Sequence, residues 1–317
     1  MKRINWKKGL ISGWSTAWEL GKIIFPVTLA VSLLQHTPVI DGLVRLLTPA
    51  MSWLGLPGEA AIPLVLGNML NLYAAIGAIL TLDLTVKQVF ILAVMLSFSH
   101  NLLLESAVCR RVGVNAGLVA GVRIGLAVIT AVMIHWLWQG GDSAAHYGWI
   151  TPQTQPEGWL EITGLALQTA MTGIFQLALV VFPLMMGIQI LKDWHWLDRF
   201  ADWMVPMMRP LGIEPRGSII MASGLLFGLA MGAGVIIEQA REKGFSKRDM
   251  TLMILFLAAC HAVVEDTLIF APLGIDVLPL LLIRLGVAIL MTLCIAWFWP
   301  SPQSNPAVNR PAQGESL

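Results

Sequence analysis

The sequence predicts an all-α integral membrane protein built as two inverted-topology repeats. Each repeat is expected to hold three transmembrane helices, an amphipathic interfacial helix and a re-entrant hairpin. Three observations predict this. First, of 317 residues 56% are hydrophobic and only 12% charged, with mean hydropathy +0.74. A soluble domain carries roughly a quarter charged residues, so most of this chain belongs in a bilayer. Second, the latter half repeats the former. Third, Lys and Arg are unevenly distributed among the connecting segments, which sets orientation.

The repeat is read from polar and punctuating residues, because apolar matches arise by chance in such a chain. A shift of 157 pairs Phe25-Pro26 with Phe182-Pro183, Pro49 with Pro206, Gly55 with Gly212, Gly67 with Gly224 and Gly77 with Gly234. The shift then becomes 161, pairing His100 with His261, Glu105 with Asp266, Ser106 with Thr267, Gly113 with Gly274 and Arg123 with Arg284. The division that follows is 1–138 for the first repeat, a linker at 139–158 and 159–299 for the second. The Pro-, Ser- and Asn-rich stretch 300–317 is expected to be a disordered tail.

The elements follow in order. Residues 10–35 read as a first helix. The segment 38–55, with Asp41, Arg45 and Trp53, reads as interfacial. Residues 60–80 are apolar but studded with Pro63, Gly67, Asn68, Asn71 and Gly77, which suits a hairpin beside a polar cavity. A long helix at 87–109 is interrupted by polar residues, and another covers 115–138. The order repeats as 159–191, an amphipathic 195–211, then 217–237, 248–270 and 276–299.

Orientation uses the cations. Lys2, Arg3, Lys7 and Lys8 put the N-terminus in the cytoplasm, whereas the linker 139–158 has neither Lys nor Arg and belongs outside. Lys192, Arg199, Arg209 and Arg216 precede the segment 217–237, and Arg241, Lys243, Lys247 and Arg248 follow it. Both flanks belong inside, so the segment enters and leaves by one face. Three crossings per half result, which inverts the halves relative to each other. If 60–80 and 217–237 span instead, each half has four crossings and the repeats are parallel.

The candidate site is the interrupted stretch Ser97-Phe98-Ser99-His100-Asn101-Leu102-Leu103-Leu104-Glu105-Ser106 and its partner around Cys260, His261, Glu265, Asp266 and Thr267. Polar groups at membrane depth are costly and point to function. On an unbroken helix, positions five apart lie about 140° apart and share no face. Three readings stay open. These groups are buried and satisfied structurally, or they bind a solute or coupling ion at broken helices, or His100, His261, Glu105 and Asp266 hold a transition metal, with Cys260 as a further donor. Arg123 and Arg284 either pair with Glu105, Glu265 or Asp266, or anchor an anionic group of a substrate. Asn68 and Asn71 are the hairpin candidates.

Other classes are excluded. A net charge of +1 argues against nucleic-acid binding. Three cysteines without a CxxC pair suggest neither a disulfide framework nor a zinc knuckle. No P-loop, Rossmann fingerprint, HExxH or GxSxG in context is present, so no cofactor and no enzymatic activity are expected. An intramembrane metalloenzyme is the least favoured class.

The run Leu54-Gly55-Leu56-Pro57-Gly58-Glu59-Ala60-Ala61-Ile62-Pro63-Leu64, with Gly67-Asn68 and Tyr73-Ala74-Ala75-Ile76, resembles the nucleoside-recognition or gate domain of bacterial spore-maturation-type membrane proteins. That domain is related to the cores of concentrative nucleoside transporters and of the ferrous-iron transporter's membrane part. The resemblance covers about residues 20–295, as two gate domains in one chain. It implies that 60–80 with 97–106, and 217–237 with 258–267, frame a substrate. The sequence departs in having neither a GTPase segment nor the iron transporter's gate cysteine motif, which weakens an iron reading. The expectation is therefore a multi-pass bacterial inner-membrane protein with cytoplasmic termini. It would move a small polar or charged solute, such as a nucleoside-like molecule or organic ion, by alternating access with proton or sodium coupling. The alternatives are a transition-metal transporter and a non-transporting assembly or signalling protein. The expected partners are that solute and lipid, with homo-oligomer formation open.

Overall fold

A computed structural model describes residues 6–34, 38–148, 158–194 and 196–299. The expected tail 300–317 and residues 149–157 of the linker lie outside these ranges. The first half forms α1 (Trp6–Leu34), α2 (Pro38–Ser52), α3 (Ala61–Met69), α4 (Leu72–Ile79), α5 (Val86–Ser99), α6 (Leu102–Arg111) and α7 (Ala116–Leu137). The second half forms α8 (Trp159–Asp193), α9 (Trp196–Met208), α10 (Ser218–Met231), α11 (Ala233–Lys243), α12 (Lys247–Ala259), α13 (Glu265–Leu268) and α14 (Val277–Phe298). Each helix of one half has a counterpart in the other, in the same order. Among the described residues there is no strand.

The duplication extends to the atoms that start and stop helices. Thr85 caps α5 by accepting from Gln88 N, and Ser246 caps α12 by accepting from Asp249 N. Asn115 and Asp276 do the same for α7 and α14. Such side-chain oxygens satisfy amide groups that the first helical turn leaves unpaired. At the other ends, Lys87 Nζ donates to His135 O at 3.0 Å and Trp138 O at 2.7 Å, closing α7. Arg248, at the equivalent position, donates to the carbonyls of Trp299, Ala296 and Gly212, closing α14. Arg248 is 6% exposed, so of the four cations read as a cytoplasmic cluster this one turns inward to the helix end. Its charge complements the negative end of the helix dipole.

Among the described residues, five stretches are long and apolar enough to cross a membrane: Gly13–Leu34, Val86–Arg111, Ala116–Leu137, Trp159–Leu191 and Val277–Phe298. The sequence reading has six. The counterpart of Val86–Arg111 falls short because α12 has 13 residues and its continuation α13 only four. The interruption, two residues long in the first copy, is five residues long in the second, from Cys260 to Val264. The first hairpin has the expected bounds, but the second arm of the other, α11, runs on to Lys243.

The two interrupted helices form the centre. From Val89 to Ser99 in α5, and from Met250 to Ala259 in α12, every residue is buried. A helix apolar on all sides belongs in an interior. By contrast, α7 and α14 expose Ile129, Met133, Leu137, Leu282 and Leu290, as a lipid-facing surface does. α1 packs along α8, with Gly13 against Phe182 and Gly21 against Ile174, so the two run antiparallel. In the segment joining the halves, Tyr147 is buried and donates to Leu82 O at 2.9 Å. Burial pushes its phenol above the ordinary value, so it stays a donor.

Candidate functional site

The site is made where α5 and α12 break. His100 leaves α5 with extended backbone and Asn101 turns left-handed at φ 58, ψ 32 before α6 resumes. In the second copy Cys260 is extended and Ala262 takes φ 40. Asn tolerates this region because its short polar side chain bonds locally, whereas a residue such as Ala is strained there by about 1–2 kcal/mol. The hairpins hold both turns. Asn101 N donates to Gly67 O at 2.8 Å, Ala262 N to Gly224 O at 3.0 Å and Val263 N to Leu225 O at 2.8 Å. Glycine keeps this approach free of a side chain. A Cβ on Gly67 would lie 2.4 Å from Leu96 Cδ2, and one on Gly224 would lie 2.5 Å from Leu257 Cδ1.

A broken helix leaves carbonyls without amide partners. Arg123, 1% exposed on α7, donates Nε to Phe98 O at 2.6 Å and Nη2 to His100 O at 2.7 Å, and its Nη1 lies 2.6 Å from Glu105 Oε2. Arg284, on α14, donates Nη2 to His261 O at 2.7 Å and to Asp266 Oδ2 at 3.0 Å, and Nη1 to Thr267 Oγ1 at 3.3 Å. The pairing alternative of the sequence reading is thus the observed one, Arg123 with Glu105 and Arg284 with Asp266. Neither arginine lines the cavity described below.

Between these frames the two histidines meet, with ring centroids 5.2 Å apart. Each Nδ1 lies against a carbonyl one turn back, Leu96 O at 2.7 Å and Leu257 O at 2.8 Å. Both Nε2 atoms therefore face the acids. His261 Nε2 is 3.1 Å from Glu105 Oε1 and 3.5 Å from Asp266 Oδ2, and His100 Nε2 is 3.9 Å from each acid. The left-handed turn at Asn101 is what brings His100 and Glu105 together, although they sit five positions apart.

A cavity of about 150 Å³ opens beside this cluster. The first repeat contributes Asn71, Leu72, Tyr73, His100, Asn101 and Glu105 to it. From the second come the α10 stretch Phe227–Met231, with His261, Ala262, Glu265, Asp266 and Ile269. Gly228, at φ 80 and ψ 172, breaks α10 there. Asn71 both lines the cavity and caps α4 by accepting from Ala74 N at 3.0 Å. Besides the two arginines, five predicted site residues lie outside the lining. Asn68 donates to Leu64 O, Ser97 to Val94 O and Ser99 to Met95 O, each within its own helix. Cys260 is buried behind the lining, and Thr267 serves Arg284. Glu265 accepts from Tyr73 Oη at 2.5 Å, a hydrogen bond between the two repeats.

Sequence reading missed Tyr73 as a site residue. Its signal was a phenol in an apolar segment, in a chain with only two tyrosines. The apolar lining residues Phe227, Met231 and Ile269 carried no signal that set them apart from core.

Comparison with known proteins agrees with the duplication. The family described as "Gate: Nucleoside recognition" matches residues 17–115 and again 174–275. A membrane protein of Bacillus subtilis (strain 168), named "Uncharacterized membrane protein YvoD", is 57% identical over 300 residues, covering 94% of this chain and 96% of that protein. No solved structure matches. With two copies of the domain and close likeness to a membrane protein along nearly all of its length, the chain belongs to the nucleoside-recognition gate family of membrane proteins.

Proposed function

We propose that the chain is a secondary transporter that carries a small polar or charged solute across the bacterial inner membrane by alternating access. Its two gate repeats, 1–138 and 159–299, are inverted, each with three crossings and one re-entrant hairpin, and both termini are cytoplasmic. The broken segment α12–α13 makes the sixth crossing. The antiparallel run of α1 against its own repeat counterpart α8 supports the inversion, because equivalent helices of parallel repeats point the same way.

One observation carries the transport reading: a cavity to which both repeats bring polar side chains among apolar walls, where both central helices are broken. That is where inverted-repeat transporters place their solute. Size narrows the solute. At about 150 Å³ the cavity exceeds the roughly 10–15 Å³ that one water centre needs. It falls below the roughly 300 Å³ at which pockets for larger ligands begin. The conformation described fits an ion with a few waters, and a nucleoside-sized solute requires the α3–α4 and α10–α11 hairpins to part. A second reading, a non-transporting assembly protein with a structural polar core, draws on the engagement of both arginines with carbonyls and acids of their own repeat.

Thermal shift of the purified protein against nucleosides, organic ions and divalent cations tests the proposal, using wild type and His100→Ala/His261→Ala. Selective stabilisation of wild type by one solute, followed by its uptake into proteoliposomes, is the expected result. If nothing stabilises wild type selectively, the polar core is structural and the transport reading fails.

A further inference from the structure

We propose that His100, His261, Asp266 and Glu105 form a binding site for a divalent transition-metal cation, with one histidine and one carboxylate from each repeat. This rests on the transporter reading and names the class of its solute.

The tautomers carry the argument. A carbonyl oxygen only accepts, so the contacts of both Nδ1 atoms to Leu96 O and Leu257 O put the ring proton on Nδ1. In the neutral ring Nε2 then presents a lone pair. These lone pairs face Glu105 Oε1 and Asp266 Oδ2, which are acceptors too. His261 Nε2 is fully buried, lies 3.1 Å from a carboxylate oxygen and has no aligned hydrogen bond. Four acceptor atoms converging in a buried space call for a cation among them. A backbone carbonyl behind each Nδ1 is also the arrangement that orients metal-bound histidines and strengthens them as ligands.

Distances fit the class. His100, His261 and Asp266 offer ligand atoms that all lie within 4.8 Å of one another. At metal–ligand lengths of 2.0–2.2 Å, tetrahedral ligands stand about 3.4 Å apart. The four N···O separations run from 3.1 to 3.9 Å, close to that spacing; His100, His261 and Asp266 form the compact set, and Glu105 completes it by moving towards Asp266. Charge fits as well, since Arg123 and Arg284 are set against three carboxylates, Glu105, Asp266 and Glu265. Two imidazoles with carboxylates suit zinc, ferrous iron, cobalt or manganese better than calcium or magnesium, and the cluster has no thiolate to select copper(I).

Co²⁺ is the probe. Full-length protein, purified in detergent and freed of metal with a chelator, is titrated anaerobically. One Co²⁺ per chain with visible ligand-field absorption is expected. His261→Gln should weaken binding at least about 100-fold, while His135→Gln, at the far end of α7, leaves it unchanged. X-ray absorption at the cobalt edge of wild type should show scattering from two imidazoles, a readout independent of how the variant folds. Absence of stoichiometric binding, or of imidazole scattering, overturns the assignment and leaves a shared proton as the cation. If Co²⁺ does not bind but another solute stabilises wild type selectively, the metal assignment fails and the transporter reading stands. If neither binds, both fail.

Discussion

Arg123→Met is the perturbation that most directly tests how the broken helix is held. The guanidinium is 1% exposed and does three things at once: it accompanies Glu105 at 2.6 Å and fills the free carbonyls of Phe98 and His100. Methionine keeps the apolar stem and removes all three. Breaking one partner out of a buried pair costs about 3–5 kcal/mol, because the remaining charge is stranded. Each orphaned carbonyl adds about 1–3 kcal/mol, less where water or relaxation reaches it. These losses overlap, so the expected destabilisation is about 4 kcal/mol, close to a thousandfold in the folded-to-unfolded ratio. Unfolding by SDS in mixed micelles, followed by tryptophan fluorescence, measures it. The diagnostic is the double variant Arg123→Met/Glu105→Gln. Removing the stranded charge should recover about 2 kcal/mol, a coupling that independent sites do not show. A loss below about 1 kcal/mol in the single variant, or strict additivity in the double, would refute the assignment of Arg123 as the clamp on this break.

Four further outcomes are expected. Gly224→Ala should cost about 1–3 kcal/mol by forcing Leu257 aside, whereas Gly234→Ala, with open space around its Cβ, should change the melting temperature little or raise it. Ala262→Gly should raise the melting temperature, since relief of the left-handed strain, about 1–2 kcal/mol, exceeds the added chain entropy of about 0.5–1 kcal/mol; a fall would show that φ 40 is not strained. Lys87→Met should cost about 0.3–2 kcal/mol through the end of α7, read as faster amide exchange at Trp138 than in wild type. Tyr73→Phe should lower stability by about 1.5–3 kcal/mol by removing the hydrogen bond to Glu265, read as a fall in the melting temperature of the purified protein.

Which parts of this were legible depended on whether the residue type revealed its own reason. The two polar stretches stood out because His, Asn and Glu have no cheap place in an apolar run, and the duplication was plain because Pro, Gly, His and Arg matched in order. Helix bounds followed from that pattern to within a few residues, apart from the longer α11 and the short α12. The meeting of His100 with Glu105 was not legible, since only the left-handed turn at Asn101 overrides the 100° helical step. Asn68, Ser97 and Ser99 lie off the cavity lining and share one feature. Small polar side chains in a membrane helix donate to carbonyls of the preceding turn, so their polarity alone does not distinguish a site from a self-contained bond. Arg248 showed the reverse failure. Read as one of a cluster of flanking cations, it closes α14 as Lys87 closes α7, and the 161-residue spacing that links the two was the unused clue.

The differences between the copies say as much as the identities. Both repeats keep His, Arg and the hairpin glycine, and the contacts those residues make are nearly superimposable in length: 2.7 and 2.8 Å behind the rings, 2.7 and 2.7 Å from each arginine to the histidine carbonyl. The acids differ by one methylene. Glu105 is long enough to engage Arg123 with one oxygen and reach His261 of the other repeat with the second, at 3.1 Å. Asp266 is shorter, and one oxygen, Oδ2, serves Arg284 at 3.0 Å and both histidines at 3.5 and 3.9 Å. A duplicated scaffold thus presents an asymmetric donor set, one carboxylate reaching across with an oxygen its arginine does not use and the other offering a single oxygen shared by its arginine and both histidines. On the proposed transport reading, a solute bound there would contact the two halves unequally, and its affinity would then differ between conformations in which one half has moved against the other. Only such a difference lets a ligand shift a conformational equilibrium, so the methylene that separates Glu105 from Asp266 is the smallest feature in this chain that could couple binding to movement.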